Sequence, residues 1–97
     1  MTYQLLAHSG RIEKDFHKII DIFTEEQRTK IKQTLSQDPK GTSTTHWAIK
    51  KVRKDIWQLD LPRGYRIEYT VLDTEEIVLI RFIGTHDDAA VFLRGKK

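Results

Sequence analysis

IWQLDLPRGYRIEYTVLDTEEIVLIRFIGTHDD, running from Ile56 to Asp88, is the stretch on which the fold turns. Apolar and polar residues alternate on either side of Pro62-Arg63-Gly64, and again on either side of Asp73-Thr74-Glu75. That is the pattern of three strands joined by two tight turns. Successive strand side chains point to opposite faces, so Trp57, Leu59 and Leu61 share one face and Gln58 and Asp60 the other. In the second strand Tyr65, Ile67, Tyr69 and Val71 share a face, leaving Arg66, Glu68 and Thr70 on a polar one. The third, Ile77 to Ile83, is apolar on both sides apart from Arg81, which predicts an interior strand covered on each face. An arginine there needs a partner or a task. Gly84-Thr85-His86-Asp87-Asp88 then ends the strand and places a histidine and two carboxylates in a loop, where rigid scaffolds commonly carry chemistry.

Upstream, Tyr3 to His8 is short and β-prone and is broken by Ser9 and Gly10. From there Ile12, Phe16, Ile19, Ile20 and Phe23 recur at helical spacing, predicting an amphipathic helix. Thr24 with Gln27 three residues on is a capping-box signature for a second helix, whose apolar stripe is only Ile31 and Leu35. It should stop near Gln37, because Pro39 disfavours helix at Asp38 and Gly41 follows. Lys40 to His46 reads as a polar loop, with Trp47, Ala48, Ile49 and Val52 marking the return to the core. The expected order is strand, helix, helix, loop, a meander of strands and a short polar tail.

A chain of 97 residues with 38% hydrophobic residues, two tryptophans, three tyrosines and four phenylalanines has material for one core. A single domain over residues 1–97 is therefore expected. The absence of cysteine excludes disulfides, thiolate zinc sites and cysteine nucleophiles. No apolar run approaches a membrane span and the amino terminus lacks a signal-peptide pattern, so a cytoplasmic location without a membrane partner is expected. The net charge is +3, but the positive charge is clustered. Lys50, Lys51, Arg53 and Lys54 lie together, followed by Arg63, Arg66, Arg81, Arg94, Lys96 and Lys97. Such clustering suits a polyphosphate or an acidic protein partner, although a solvated face is the commoner explanation.

Arg66, Arg81 and His86 come from two adjacent strands and the following loop, which would let them converge at one end of the sheet. An arginine fork binds phosphate and stabilises charge growing on a pentavalent phosphorus, and a histidine, titrating near neutrality, moves protons. With the Lys50 to Lys54 patch they would suit metal-free RNA cleavage, in which a 2′-hydroxyl attacks its own phosphodiester. Each residue also has a structural reading: Arg66 paired across strands with the neighbours of Glu68 or with Asp60, Arg81 at the edge of the core and bonded to carbonyls, His86 capping the strand end through Asp87 or Asp88. Spacing alone favours the structural reading. His17, on a helix, and His46, in a loop, have nothing to position them. One histidine beside two adjacent carboxylates does not make a metal site, so no metal or cofactor is expected.

At Leu61-Pro62-Arg63-Gly64-Tyr65-Arg66-Ile67-Glu68-Tyr69 and Ile83-Gly84-Thr85-His86-Asp87-Asp88 the chain resembles the RelE/ParE toxin superfamily, in particular its RelE-like messenger-RNA interferases. The Gly-Tyr-Arg-x-x-Tyr and Gly-Thr-His-Asp segments carry the likeness. It implies an α+β, microbial-ribonuclease-like fold with an N-terminal strand and two helices packed on a small antiparallel sheet. It also implies a type II toxin that cleaves messenger RNA in the ribosomal decoding site and is neutralised by a cognate antitoxin protein. Arg66 falls at the family's catalytic arginine, His86 where relatives place a phosphate-binding arginine or an acid/base histidine, and Phe92 at a contributing aromatic. Arg81 would assist Arg66, while Lys50, Lys51, Arg53 and Lys54 would hold RNA phosphates. The lysines that some relatives carry on the strand before the motif are missing, since Trp57, Gln58, Leu59 and Asp60 stand there. Two alternatives remain on the same fold: a ParE-like DNA gyrase inhibitor, and an inactive module that only binds antitoxin.

Overall fold

The computed structural model of the protein describes residues 2–42 and 47–95. His46, most of the predicted polar loop, Lys96 and Lys97 lie outside the described residues. The elements run β1 (Gln4–Ala7), α1 (Gly10–Ile20), α2 (Glu25–Gln37), β2 (Ile49–Arg53), β3 (Ile56–Asp60), a 3₁₀ turn (Pro62–Gly64), β4 (Tyr65–Leu72), β5 (Ile77–Thr85) and α3 (His86–Arg94). Five strands form one sheet in the order β1-β5-β4-β3-β2. β2 to β5 are antiparallel neighbours. β1 joins β5 in parallel, pairing Gln4 with Ile77 and Ala7 with Ile80. The sheet is therefore mixed rather than wholly antiparallel, in an α+β architecture as expected.

The helices start where their caps dictate. The Ser9 hydroxyl accepts from the Ile12 amide at 3.2 Å, opening α1. At α2 both halves of the capping box are made: Thr24 Oγ1 accepts from the Gln27 amide at 3.1 Å, and Gln27 Oε1 accepts from the Thr24 amide at 3.0 Å. Phe16 and Ile20 of α1, Phe23 just beyond it, and Ile31 and Leu35 of α2 pack with Leu59, Ile67, Tyr69, Val78, Ile80 and Ile83 of the sheet. Ile31 and Leu35 are fully buried. Two such side chains, at about 1.5–3 kcal/mol each, hold an otherwise polar α2 on the sheet.

Two elements depart from the expected order. Lys50, Lys51 and Arg53 belong to a strand, β2, whose apolar residues Ile49 and Val52 do not alternate because the register shifts between Lys51 and Arg53. The residues after Gly84 form a helix, α3, rather than a loop and a polar tail. Thr85 caps it by accepting from the Asp88 amide at 3.2 Å. Asp87 and Asp88 sit in its first turn, where they favour the helix dipole. α3 folds back along the sheet face opposite α1 and α2: its Phe92 stacks on Phe82, with ring centroids 5.1 Å apart and planes 16° from parallel. Among the described residues no helix is long and apolar enough to cross a membrane.

Two side chains tie the loops down. Tyr69, buried in the core, donates its hydroxyl to the Pro39 carbonyl at 2.6 Å, fixing the exit of α2 against the middle of β4. Asp73, in the β4–β5 turn, accepts from Tyr3 Oη and Lys40 Nζ, both at 2.7 Å. Lys40 and then Tyr3 hold its carboxyl below the usual range. Tyr69→Phe should retain the fold and lose about 1–3 kcal/mol of unfolding free energy, because the Pro39 carbonyl is left without its donor. Urea denaturation of the two proteins checks this, and coincident curves would show that the bond contributes nothing.

Candidate functional site

β4 sets out the site. Ile67 and Tyr69 enter the core, and the period of two turns Arg66, Glu68 and Thr70 to the opposite face, under α3. Cross-strand register builds two rows there. Asp60, Arg66 and Gly84 form one, and Gln58, Glu68 and Phe82 the next, with Lys50 opposite Gln58 on β2.

Arg66 makes a 2.7 Å ion pair through Nε with Asp60 Oδ1, with its side chain 20% exposed. Its two terminal amino groups make no hydrogen bond among the described residues. A guanidinium held through Nε keeps two terminal amino groups, the pair that engages an oxyanion in a bidentate way. Asp60 thus acts as the orienting group. His86 opens α3 two residues after Gly84, which pairs with Arg66, so the histidine stands at the same end of the sheet as the arginine. Its side chain is 58% exposed and Nδ1 lies 3.7 Å from Asp87 Oδ1, beyond hydrogen-bond range.

Arg81 does not join them. It occupies the register shift opposite Glu68 and Tyr69, roughly 10 Å along the strand from the Arg66 row at about 3.3 Å per residue. There Nη1 donates to Thr70 Oγ1 at 3.2 Å and lies 3.9 Å from Asp55 Oδ2 in the β2–β3 turn. Arg81 is thus set apart from Arg66, because the bulge and the partners Thr70 and Asp55 hold it further along the strand.

The basic cluster is divided by the strand that carries it. Lys50 shares the face of Gln58 and Glu68, whereas Lys51 crosses to the other face, with Nζ 5.7 Å from the Trp57 ring centroid. Arg53 reaches α3, donating from Nη2 to the Leu93 carbonyl at 3.1 Å. Lys54 lies exposed in the turn. Lys50 therefore brings one lysine into line with β3, the strand that itself has none. Phe92 lies within α3, pinned on Phe82, and His17 is exposed on α1.

Glu68 and Gln58 were not recognisable as site residues. Both are buried, and neither Glu68 carboxyl oxygen has a hydrogen-bond partner among the described residues. Burial is the largest influence on the Glu68 carboxyl and pushes it up to about 8; Arg66 opposes the rise, Asp60 adds to it and Lys50 opposes it. The signal that could have exposed this was α3 itself: Thr85 as a cap, two acidic residues, then Ala89, Phe92 and Leu93 at helical spacing. Among the described residues no three His, Cys, Asp or Glu side chains are gathered as a metal site requires.

Comparison with solved structures agrees with this architecture. A mutant of the Escherichia coli toxin RelE in its free state shares 20% identity, covers 96% of this chain and 93% of its own, and superposes with a TM-score of 0.62. The same toxin in complex with a peptide of the antitoxin RelB gives 22% identity over 100% of this chain and 97% of that one, with a TM-score of 0.63. The archaeal RelE–RelB complex of Pyrococcus horikoshii gives 15% identity, 89% and 97% coverage, and a TM-score of 0.57. No protein-family model matches the chain, and no curated protein matches it significantly. The fold is that of the RelE toxins.

Gly84 has a steric reason to be glycine. A Cβ there would lie 2.9 Å from two carbons of the Phe82 ring, which is itself stacked on Phe92. Gly84→Ala should lose about 1–3 kcal/mol of stability, the range for overpacking a filled site, and shift the aromatic resonances of Phe82 and Phe92. Unchanged ring resonances and stability would show that the pair yields freely.

Proposed function

We propose that this protein is the toxin of a toxin–antitoxin pair and that it cleaves messenger RNA on the ribosome. The observation that carries this reading is the position of Arg66 and His86 towards one end of the sheet of a RelE-type fold, with the guanidinium held through Nε by Asp60 and its terminal amino groups unbonded among the described residues. The reaction needs little else. The 2′-hydroxyl oxygen bonds to the adjacent phosphorus, the 5′-oxygen leaves, and the products carry a 2′,3′-cyclic phosphate and a 5′-hydroxyl. Arg66 stabilises the charge that builds on the non-bridging oxygens. His86 accepts the 2′ proton or returns one to the leaving oxygen. Lys50 and Lys54 face the RNA phosphates, a contact that weakens steeply with salt. Arg81 and Arg53 act structurally, holding the β2–β3 turn and the end of α3. RelE is seen bound to RelB fragments or RelB in related structures, and an antitoxin protein is the partner this reading assigns here.

The lack of lysines on β3 favours a second reading, inhibition of DNA gyrase by the same fold. Induced expression, with primer extension on several transcripts, separates the two. Cuts within translated codons are expected, and His86→Ala should lower their rate by about 10²–10⁴. Arg66→Ala should lower it by about 10²–10³. Growth arrest without cuts would point to gyrase, and neither effect to a module that only binds its antitoxin.

A further inference from the structure

Glu68 lies at the centre of the sheet, and its two oxygens are the buried side-chain atoms that lack a hydrogen-bond partner among the described residues. An ionised carboxylate in that position would be a buried charge without a bonded partner, a state that proteins avoid by keeping the group neutral. Its cover is α3. Ala89 is fully buried, Phe92 stacks on Phe82 in the row of Glu68, and the helix end is tied by Arg53 to the Leu93 carbonyl.

The charges around Glu68 come from several elements: Lys50 on β2, Asp60 on β3 and Arg66 on β4. Arg66 gives its Nε to Asp60 and makes no hydrogen bond to Glu68, and Arg81 on β5 is held by Thr70 and Asp55. From α3, His86, Asp87, Asp88 and Arg94 are exposed; Asp88 alone stands over the sheet, its Cβ 3.5 Å from where a Cβ on Gly84 would lie in the Arg66 row, and a second carboxylate there raises the cost of charging Glu68. The helix offers Glu68 neither a donor nor a counter-ion.

We propose that α3 is a proton-latched cover, docked over Glu68 while that carboxyl is neutral and released from the sheet when it ionises. A nine-residue helix is not stable alone in water, so release means local unravelling that lets water reach the carboxylate. The sign follows from the two states. Docked, the carboxyl holds its proton up to about pH 8; released, it reverts towards the ordinary 4.5. Docking is thus at full strength below pH 4.5, weakens as pH rises between these values, and levels off above the higher one. Because His86 begins α3, proton binding at Glu68 also sets how firmly the histidine is held at the end of the sheet that carries Arg66. Glu68 is in this sense a positioning residue, and the proposal stands on the isolated protein whatever its substrate.

Amide hydrogen exchange, corrected for intrinsic rates, tests it between pH 5 and 9. Protection of Ala90 to Arg94 should fall by up to about tenfold per pH unit from pH 5 to 8 and then level off, while β4 and β5 keep theirs. Glu68→Gln, which retains the shape and cannot ionise, should be flat, and since both proteins contain His86 the comparison removes its contribution. Protection independent of pH in the parent, the same fall in both proteins, or a fall shared with β4 and β5 would each overturn the proposal. If Glu68→Gln does not fold, carbon NMR titration of the parent decides: a Glu68 midpoint at its ordinary value overturns the latch, and a raised midpoint that tracks loss of α3 protection supports it.

Discussion

The two-residue period of β4 is the constraint on which this structure depends. One strand supplies Ile67 and Tyr69 to the core and Arg66 and Glu68 to the opposite face. A slip of one residue would exchange the sets and bury an arginine among Phe16, Ile31 and Leu35. Register is secured on both sides of the sheet. The Tyr69 hydroxyl reaches Pro39 on one face, and the Asp60–Arg66 pair spans β3 and β4 on the other. The tyrosine and arginine of the Gly-Tyr-Arg-x-x-Tyr segment therefore work back to back. The first holds the scaffold in register, and the second is presented by it.

The charged face follows from what covers it. Arg66 and Arg81 are both partly buried and each has an acidic neighbour, but only Arg66 is held at short range, through Nε. Glu68, two residues along, has neighbours of both signs and bonds to none. Local charges do not explain the difference. It arises because α3 removes water from Glu68 and leaves Arg66 at the margin, where solvent still reaches it.

Much of this was legible in the residues. The alternation from Trp57 to Val71, the capping box at Thr24 and the apolar spacing from Ile12 to Phe23 are local signals, and local signals survive in a sequence. The pairing of Arg66 with Asp60 was legible too, as one of two structural alternatives to catalysis, and it is made through Nε. What escaped depends on distant parts of the chain. The polar alternation of Gln58 and Glu68 announces a solvated face, and only α3, read as loop and tail, turns it into a buried one. Arg81 appeared to lie with Arg66 because strand counting assumes unbroken pairing, and a single bulge displaced it. Lys50 to Lys54 appeared as one patch because proximity in sequence hides the fact that a strand divides its neighbours between two faces.

The parallel pairing of β1 with β5 has a consequence in time. β1 is made long before its partner β5, with Gln4 waiting for Ile77. Antiparallel hairpins can close as they emerge, but this pairing spans most of the chain and closes slowly, after the loop entropy has been met. Until then β1 is an unpaired strand, and β5, with the histidine that follows it, lacks its outer support. Synthesis thus has a built-in delay: the five-stranded sheet is finished only once β5 has been made, and a product truncated before it lacks β5, α3 and the site they complete.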